Sequence, residues 1–122
     1  MTIKPGEVFY AYNSYMTPQK PKYHVCINDK TYLIINTKPA RFFNCTLTKH
    51  ECNILDYDSN INCSLPMTQP PISSFAPEKQ VMLPASTLSR IMNTVRVATT
   101  ISPFQQKIII KDLQRCIDSL NK

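Results

Sequence analysis

The sequence predicts one mostly β domain closed by helices at its C-terminal end. Short runs rich in β-branched and aromatic residues, separated by turn formers, fill the first half, whereas the last third carries two helical periodicities. A length of 122 residues, with 43% hydrophobic and 18% charged residues, is the composition of a single globular unit spanning 1–122.

The strands are expected within about 7–64. Glu7 to Tyr12 is the first. Tyr23-His24-Val25-Cys26-Ile27 and Thr31-Tyr32-Leu33-Ile34-Ile35 flank Asn28-Asp29-Lys30 and read as a hairpin. With one glycine in the chain, at Gly6, and ten prolines, turns of the Asn-Gly type are excluded. Arg41 to Thr46 is expected as a fourth strand and Asn60 to Ser64 as a fifth. Residues 65–77 hold four prolines, which suit neither a central strand nor a helix interior, so a loop is expected there, the natural place for a partner or a lid.

Two helices follow, over about 86–95 and 103–120. Ser86 or Thr87 is the expected cap of the first, whose Leu88, Ile91, Met92 and Val95 form an i, i+3, i+4, i+7 stripe. In the second, Ser102 fits the N-cap, Pro103 the first helical position and Gln105 the third. Ile109, Leu113, Cys116, Ile117 and Leu120 share one face, opposite Lys107, Lys111, Gln114, Arg115 and Asp118. That face is expected to close an open end of the strand layer.

Several classes are excluded or disfavoured. The longest aliphatic run, Ile108-Ile109-Ile110, is far short of a membrane span, and the opening residues have no apolar segment of the signal-peptide kind. The five cysteines (26, 45, 52, 63, 116) are odd in number and widely spaced, which predicts reduced thiols and a cytoplasmic setting. One glycine cannot build a phosphate-binding or dinucleotide-binding loop. Charge is uneven: residues 1–49 hold seven lysines or arginines against two acids, and the remainder seven against six. Such an excess concentrates polyanions, because the fields of several cations add over a Debye length of about 8–10 Å.

His24-Val25-Cys26 and His50-Glu51-Cys52 place a histidine and a thiol two residues apart, on one face if the backbone is extended. No Cys-x-x-Cys knuckle accompanies them, so no metal and no cofactor is expected. Asp56-Tyr57-Asp58, followed by Ser59-Asn60, reads as a solvated turn. Aromatics interleave with cations across the basic half, the combination that stacks single-stranded bases and pairs their phosphates. Tyr12, Tyr15 and Tyr23 are the rings expected to contribute, with Lys22, Lys38 and Arg41 as cations.

In element order the chain resembles the MazF/PemK/Kid toxins of bacterial toxin–antitoxin pairs. Gly6-Glu7-Val8 resembles their Gly-Asp-Val opening, and Lys20-Pro21 before Tyr23–Ile27 resembles their Arg-Pro dipeptide and its apolar strand. Leu33-Ile34-Ile35-Asn36-Thr37 is similar to the next strand, which ends in Thr-Ser. Leu55–Ser59 is similar to a Leu-x-x-x-Ser segment, and Val95-Arg96 through Ile101-Ser102 to the family's closing helix entry. The resemblance implies a small SH3-like β-barrel with a C-terminal helix and one further short helix. It also implies a homodimer that cleaves single-stranded RNA without metal and is blocked by a cognate antitoxin, with no membrane contact. Lys20 and Thr37 stand where the family has its catalytic arginine and threonine. Lysine keeps the charge but lacks the planar fork of arginine. His24 is the natural alternative acid or base.

Two rival readings compete. A gyrase-poisoning toxin of the CcdB kind shares the barrel but ends in Trp-Gly-Ile; this chain has no tryptophan and ends Leu120-Asn121-Lys122. A non-catalytic SH3-like module holding nucleic acid or a protein is the other.

Overall fold

The computed structural model describes residues 3–13, 21–68 and 72–122. Within them, β1 (Glu7–Asn13), β2 (Pro21–Asn28), β3 (Thr31–Asn36), β4 (Asn44–Leu47), β5 (Ser59–Asn62), β6 (Met67–Thr68) and β7 (Ile72–Met82) precede α1 (Ala85–Val97) and α2 (Pro103–Leu120). The strands form one curled sheet in the order β4-β5-β3-β2-β1-β7, and β6 also pairs with β3. Every pairing is antiparallel. The molecule is mostly β, as the sequence predicts.

Alternation along the central strands divides the apolar residues between two faces. Val8, Val25, Ile27, Leu33, Ile35 and Ile61 turn to one side and pack with Leu88, Ile91, Val95, Ile109, Leu113 and Ile117 of the helices. Burying each such side chain contributes about 1.5–3 kcal/mol. A second, smaller cluster of Phe9, Ala11 and Cys26 lies on the other face, with Ile3 and Tyr32 against it. Of the stripe expected on α2, Ile109, Leu113 and Ile117 are buried, Cys116 is half-buried and Leu120 is exposed.

The hairpin turn is held as its sequence implies: the Asn28 Oδ1 accepts from the Lys30 backbone N–H at 2.8 Å. The Asn28 amide also donates to Asp112 Oδ2 at 2.8 Å, which ties the turn to α2. Gly6 enters β1 with φ 89°, its N–H bonded to the Cys26 carbonyl and its carbonyl to the Leu83 N–H. At this position a Cβ would stand 2.8 Å from Cys116 Sγ and 2.9 Å from Met82 Sδ, so the glycine is required by both conformation and space.

Three expectations need correction. Within the loop expected over 65–77, Met67–Thr68 form β6 and residues 72–77 the first half of β7. The strand lies at the sheet edge, and its register against β1 jumps between Phe9↔Gln80 and Ala11↔Phe75. Pro77 falls within that irregularity, where a missing N–H removes no ladder bond of a central strand. The fourth strand begins at Asn44 rather than Arg41, because Phe43 has φ 56°, a left-handed conformation that interrupts extended backbone. Helix α1 takes Pro84 as its N-cap with no side-chain bond, since the Thr87 hydroxyl is spent on a distant carboxylate, Glu51. Ser102 does cap α2, accepting from the Gln105 N–H at 3.2 Å. The Gln106 side chain in turn donates to the carbonyls of Val95 (2.9 Å) and Ala98 (3.0 Å), satisfying acceptors at the end of α1.

Candidate functional site

The ends of β2 and β3 meet the segment 48–59 around a cavity of about 180 Å³. Cross-strand pairing sets Tyr10 of β1 opposite Tyr23 of β2, with ring centroids 4.5 Å apart. The Tyr23 hydroxyl donates to the Ile54 carbonyl at 2.8 Å, pinning the segment to the sheet. Burial first, and then the charge of Asp56, raise the pKa of Tyr23, so it remains a neutral phenol at physiological pH. Lys22 reaches across to Asn36, Nζ to Oδ1 3.1 Å, and Lys79 Nζ sits 4.4 Å from the centre of the Tyr10 ring. Thr37, Asp56, Tyr57 and Ser59 complete the polar part of the wall, Pro21 also lines it, and Tyr57 is 69% exposed.

Glu51 holds this wall in place. Its carboxylate accepts from the Thr48 backbone N–H (3.0 Å) and hydroxyl (3.1 Å) on one oxygen, and from Thr87 and Arg90 of α1 on the other. Lys49 N–H donates to Asp58 Oδ1 at 2.9 Å, and Ser59 Oγ to the Tyr57 carbonyl at 2.9 Å, which fixes the turn that carries Asp56 and Tyr57. Residues 50–52 are therefore turn, not strand: His50 is exposed while Cys52 is buried, so that His-x-Cys pair shares no face.

Of the residues the sequence nominates, Lys22, Tyr23 and Thr37 come together in the cavity. Lys38 and Arg41 are exposed on the 37–43 connection that leaves it, and Tyr12 is exposed towards the end of β1, outside the cavity wall. Lys20 and Tyr15 lie outside the described residues. His24 is not among the residues that line the cavity. It is fully buried and stacks on Phe9 (5.2 Å, 18° between planes), and burial lowers its pKa to about 4, so it is neutral and sealed from solvent. Cys26, two residues on, is buried as well, its thiol pushed up to about 12 by burial. Among the described residues no three metal-ligating side chains group together, and no helix is long and apolar enough to cross a membrane.

The cavity adds Tyr10, Asn36, Asp56 and Tyr57, which the sequence reading did not nominate. Asp56 and Tyr57 carry only turn signals locally; the Tyr23–Ile54 bond ties their segment to the sheet and Glu51 ties it to α1. Two larger clefts, of about 390 and 670 Å³, flank α2 and contain none of the nominated residues. Set against known proteins, the chain matches no family model and no curated sequence.

Proposed function

We propose that the protein is a metal-independent ribonuclease acting on single-stranded RNA in the cytoplasm, the toxin half of a MazF/PemK-like toxin–antitoxin pair. One observation carries the reading: Pro21, which closes the Lys-Pro dipeptide, and Thr37, at the end of β3, line the same cavity. These are the two motifs that the resemblance joins into one reaction site, and they are far apart in sequence. The curled antiparallel sheet with C-terminal helices supports an SH3-like barrel of the same kind.

In this mechanism the 2′-hydroxyl oxygen attacks the adjacent phosphorus as the bond to the 5′ oxygen breaks. The products are a 2′,3′-cyclic phosphate and a 5′-hydroxyl. The Lys22 ammonium offsets charge on the phosphoryl oxygens, and Thr37 donates a hydrogen bond to one of them. Asp56, the carboxylate of the cavity, accepts the 2′-hydroxyl proton in place of the buried His24. The leaving oxygen takes its proton from water. Tyr57, exposed at the wall, offers a ring to a base. A homodimer and a cognate antitoxin that covers the cavity belong to the same reading.

The burial of His24 favours a second reading, in which the cavity binds RNA without cutting it. One experiment separates the two. Purified protein is incubated in EDTA with a long single-stranded RNA, alongside Lys22→Ala, Thr37→Ala and Asp56→Asn, and binding is followed in parallel. Discrete fragments with 5′-hydroxyl ends, reduced in all three variants, are expected. Bound but intact RNA would leave the binding module, and folded protein that neither binds nor cuts RNA would refute both.

A further inference from the structure

We propose that the 37–43 connection is a second contact for the same RNA strand, with Phe42 as the stacking platform for one base and Lys38 and Arg41 as phosphate contacts. The inference rests on the RNA reading above and extends it outward from Thr37, which belongs to both the cavity and the connection.

The connection is built to hold one shape. The Asn44 side chain clamps Ala40 from both sides, accepting from its N–H and donating to its carbonyl, each at 2.7 Å. The Phe43 carbonyl accepts from the Cys63 N–H at 2.9 Å, and the Phe43 ring packs against the main core. Its φ of 56° is a conformation that bulky residues rarely adopt, and strained backbone of this kind persists where the surroundings over-determine it. With Phe43 turned inward, Phe42 is left 53% exposed beside Arg41. Its ring meets that of Phe43, centroids 6.1 Å apart, and the half left exposed is a preorganised surface for a flat partner.

The surroundings select the partner. The Arg41 guanidinium lies 5.2 Å from the Phe42 ring centre, the arrangement in which a cation and an aromatic face act together on a stacked base. The connection contains Lys38 and Arg41 and no acid. Among the described residues the ion pairs are Arg90–Glu51 and Arg115–Asp112, and neither Lys38 nor Arg41 takes part in one. Thr37, Lys38, Pro39 and Arg41 of the same connection are exposed. Phe42 lies five residues from Thr37, at most about 17 Å of extended chain. A few nucleotides of single strand span that distance, which suits a small single-strand site.

The chain has no tryptophan, so Phe42→Trp introduces one fluorescent reporter at the platform. Titration with a single-stranded RNA of about 12 nucleotides is expected to quench the introduced indole, whereas an abasic strand of equal length is expected to leave it unchanged. In parallel, the anisotropy of a labelled RNA measures affinity for wild type, Phe42→Ala, Arg41→Ala and Lys22→Ala. Phe42→Ala is expected to weaken binding roughly tenfold with an unchanged salt dependence. Arg41→Ala is expected to lower the slope of log K against log salt by about 0.7. Folding of each variant is checked by circular dichroism. Unquenched indole, with Phe42→Ala binding like wild type while Lys22→Ala weakens binding, would overturn the platform and leave the cavity reading standing. No RNA binding by folded wild type would overturn both.

Discussion

Replacing Glu51 with glutamine removes the charge from a carboxylate that accepts hydrogen bonds from Thr87, Arg90 and both the N–H and hydroxyl of Thr48. Burial alone would raise this carboxyl. The bonds from Thr87, the Thr48 backbone, Arg90 and the Thr48 hydroxyl outweigh it and hold the pKa at about 2, against an ordinary 4.5. At about 1.4 kcal/mol per pH unit that gap sets a ceiling of roughly 3 kcal/mol. The Arg90 side chain is 44% exposed, so solvent screening takes a share, and about 2 kcal/mol is expected. The folded pKa lies below the unfolded one, so this stabilisation is complete above pH 4.5 and is lost as the pH falls through about 2. Urea unfolding of wild type and Glu51→Gln tests it. At pH 7 the variant midpoint should fall by roughly 1 M with unchanged slope. The gap between the two proteins should then close as the pH is lowered from 5 to 2. Equal midpoints at pH 7, or a gap that survives at pH 2, would refute the reasoning. Because the same bonds anchor the segment bearing Asp56 and Tyr57, Glu51→Gln should also weaken RNA binding at pH 7 without touching a ligand-facing group.

Gly6→Ala combines a positive φ with a Cβ 2.8 Å from Cys116 Sγ, so a melting temperature lower by roughly 10 °C is expected from about 2–4 kcal/mol of strain and overpacking. A scanning calorimetry shift within about 2 °C would contradict that account. Thiol reactivity should be sharply divided: Cys26, Cys45, Cys52 and Cys63 are buried, with every thiol pushed up by burial, whereas Cys116 is half-buried. With an aromatic disulfide reagent at pH 8, one thiol of native protein should react well before the other four, and all five should react in denaturant; rapid reaction of several native thiols would count against the burial described.

Much of the architecture was legible in the sequence because the signals are local. The Tyr23–Ile27 and Thr31–Ile35 runs pair across an Asn28 turn whose side chain bonds its own backbone, and α2 begins at a serine and a proline that need no tertiary help. The misreadings lie where distant contacts decide. Proline density hid β7, because composition does not reveal that a segment will lie at a sheet edge beside an irregular register. Thr87 looks like a cap until its hydroxyl meets Glu51, 36 residues away in sequence. His24 carries an imidazole in a plausible place, but alternation gives only its face. That this face is also covered, by the cluster containing Phe9 and Cys26, is a tertiary fact. Lys22, Tyr23 and Thr37 were legible because they sit at the ends of the best-marked strands; Asp56 was not, since its segment is held against the sheet by contacts distant in sequence, the Tyr23–Ile54 bond and the ties from Glu51 to α1.

Volume alone would draw attention to the clefts beside α2, which are larger than the cavity between β2, β3 and the 48–59 segment. Met82, Ile27 and Leu120 line one, with Lys4, Arg115 and Asp112, and Phe104 and Ile108 the other, with Asp29, Lys30 and Asp112; neither holds a residue that the resemblance places at the reaction site. A single strand of RNA does not need to be engulfed. It needs a charge for each phosphate and a ring for some bases, spaced along a surface. The cavity of about 180 Å³ holds Lys22, Thr37 and Asp56, and Tyr57 stands exposed beside it. The rigid 37–43 connection then continues the contacts from Thr37 through Lys38 and Arg41 to Phe42. On the proposed reading, chemistry is confined to the small cavity and affinity is spread along the connection. Lys22→Ala should therefore depress both cleavage and binding, whereas Phe42→Ala should depress binding while cleavage at saturating RNA persists. If Phe42→Ala instead abolished cleavage at saturation, the division between the two contacts would be wrong.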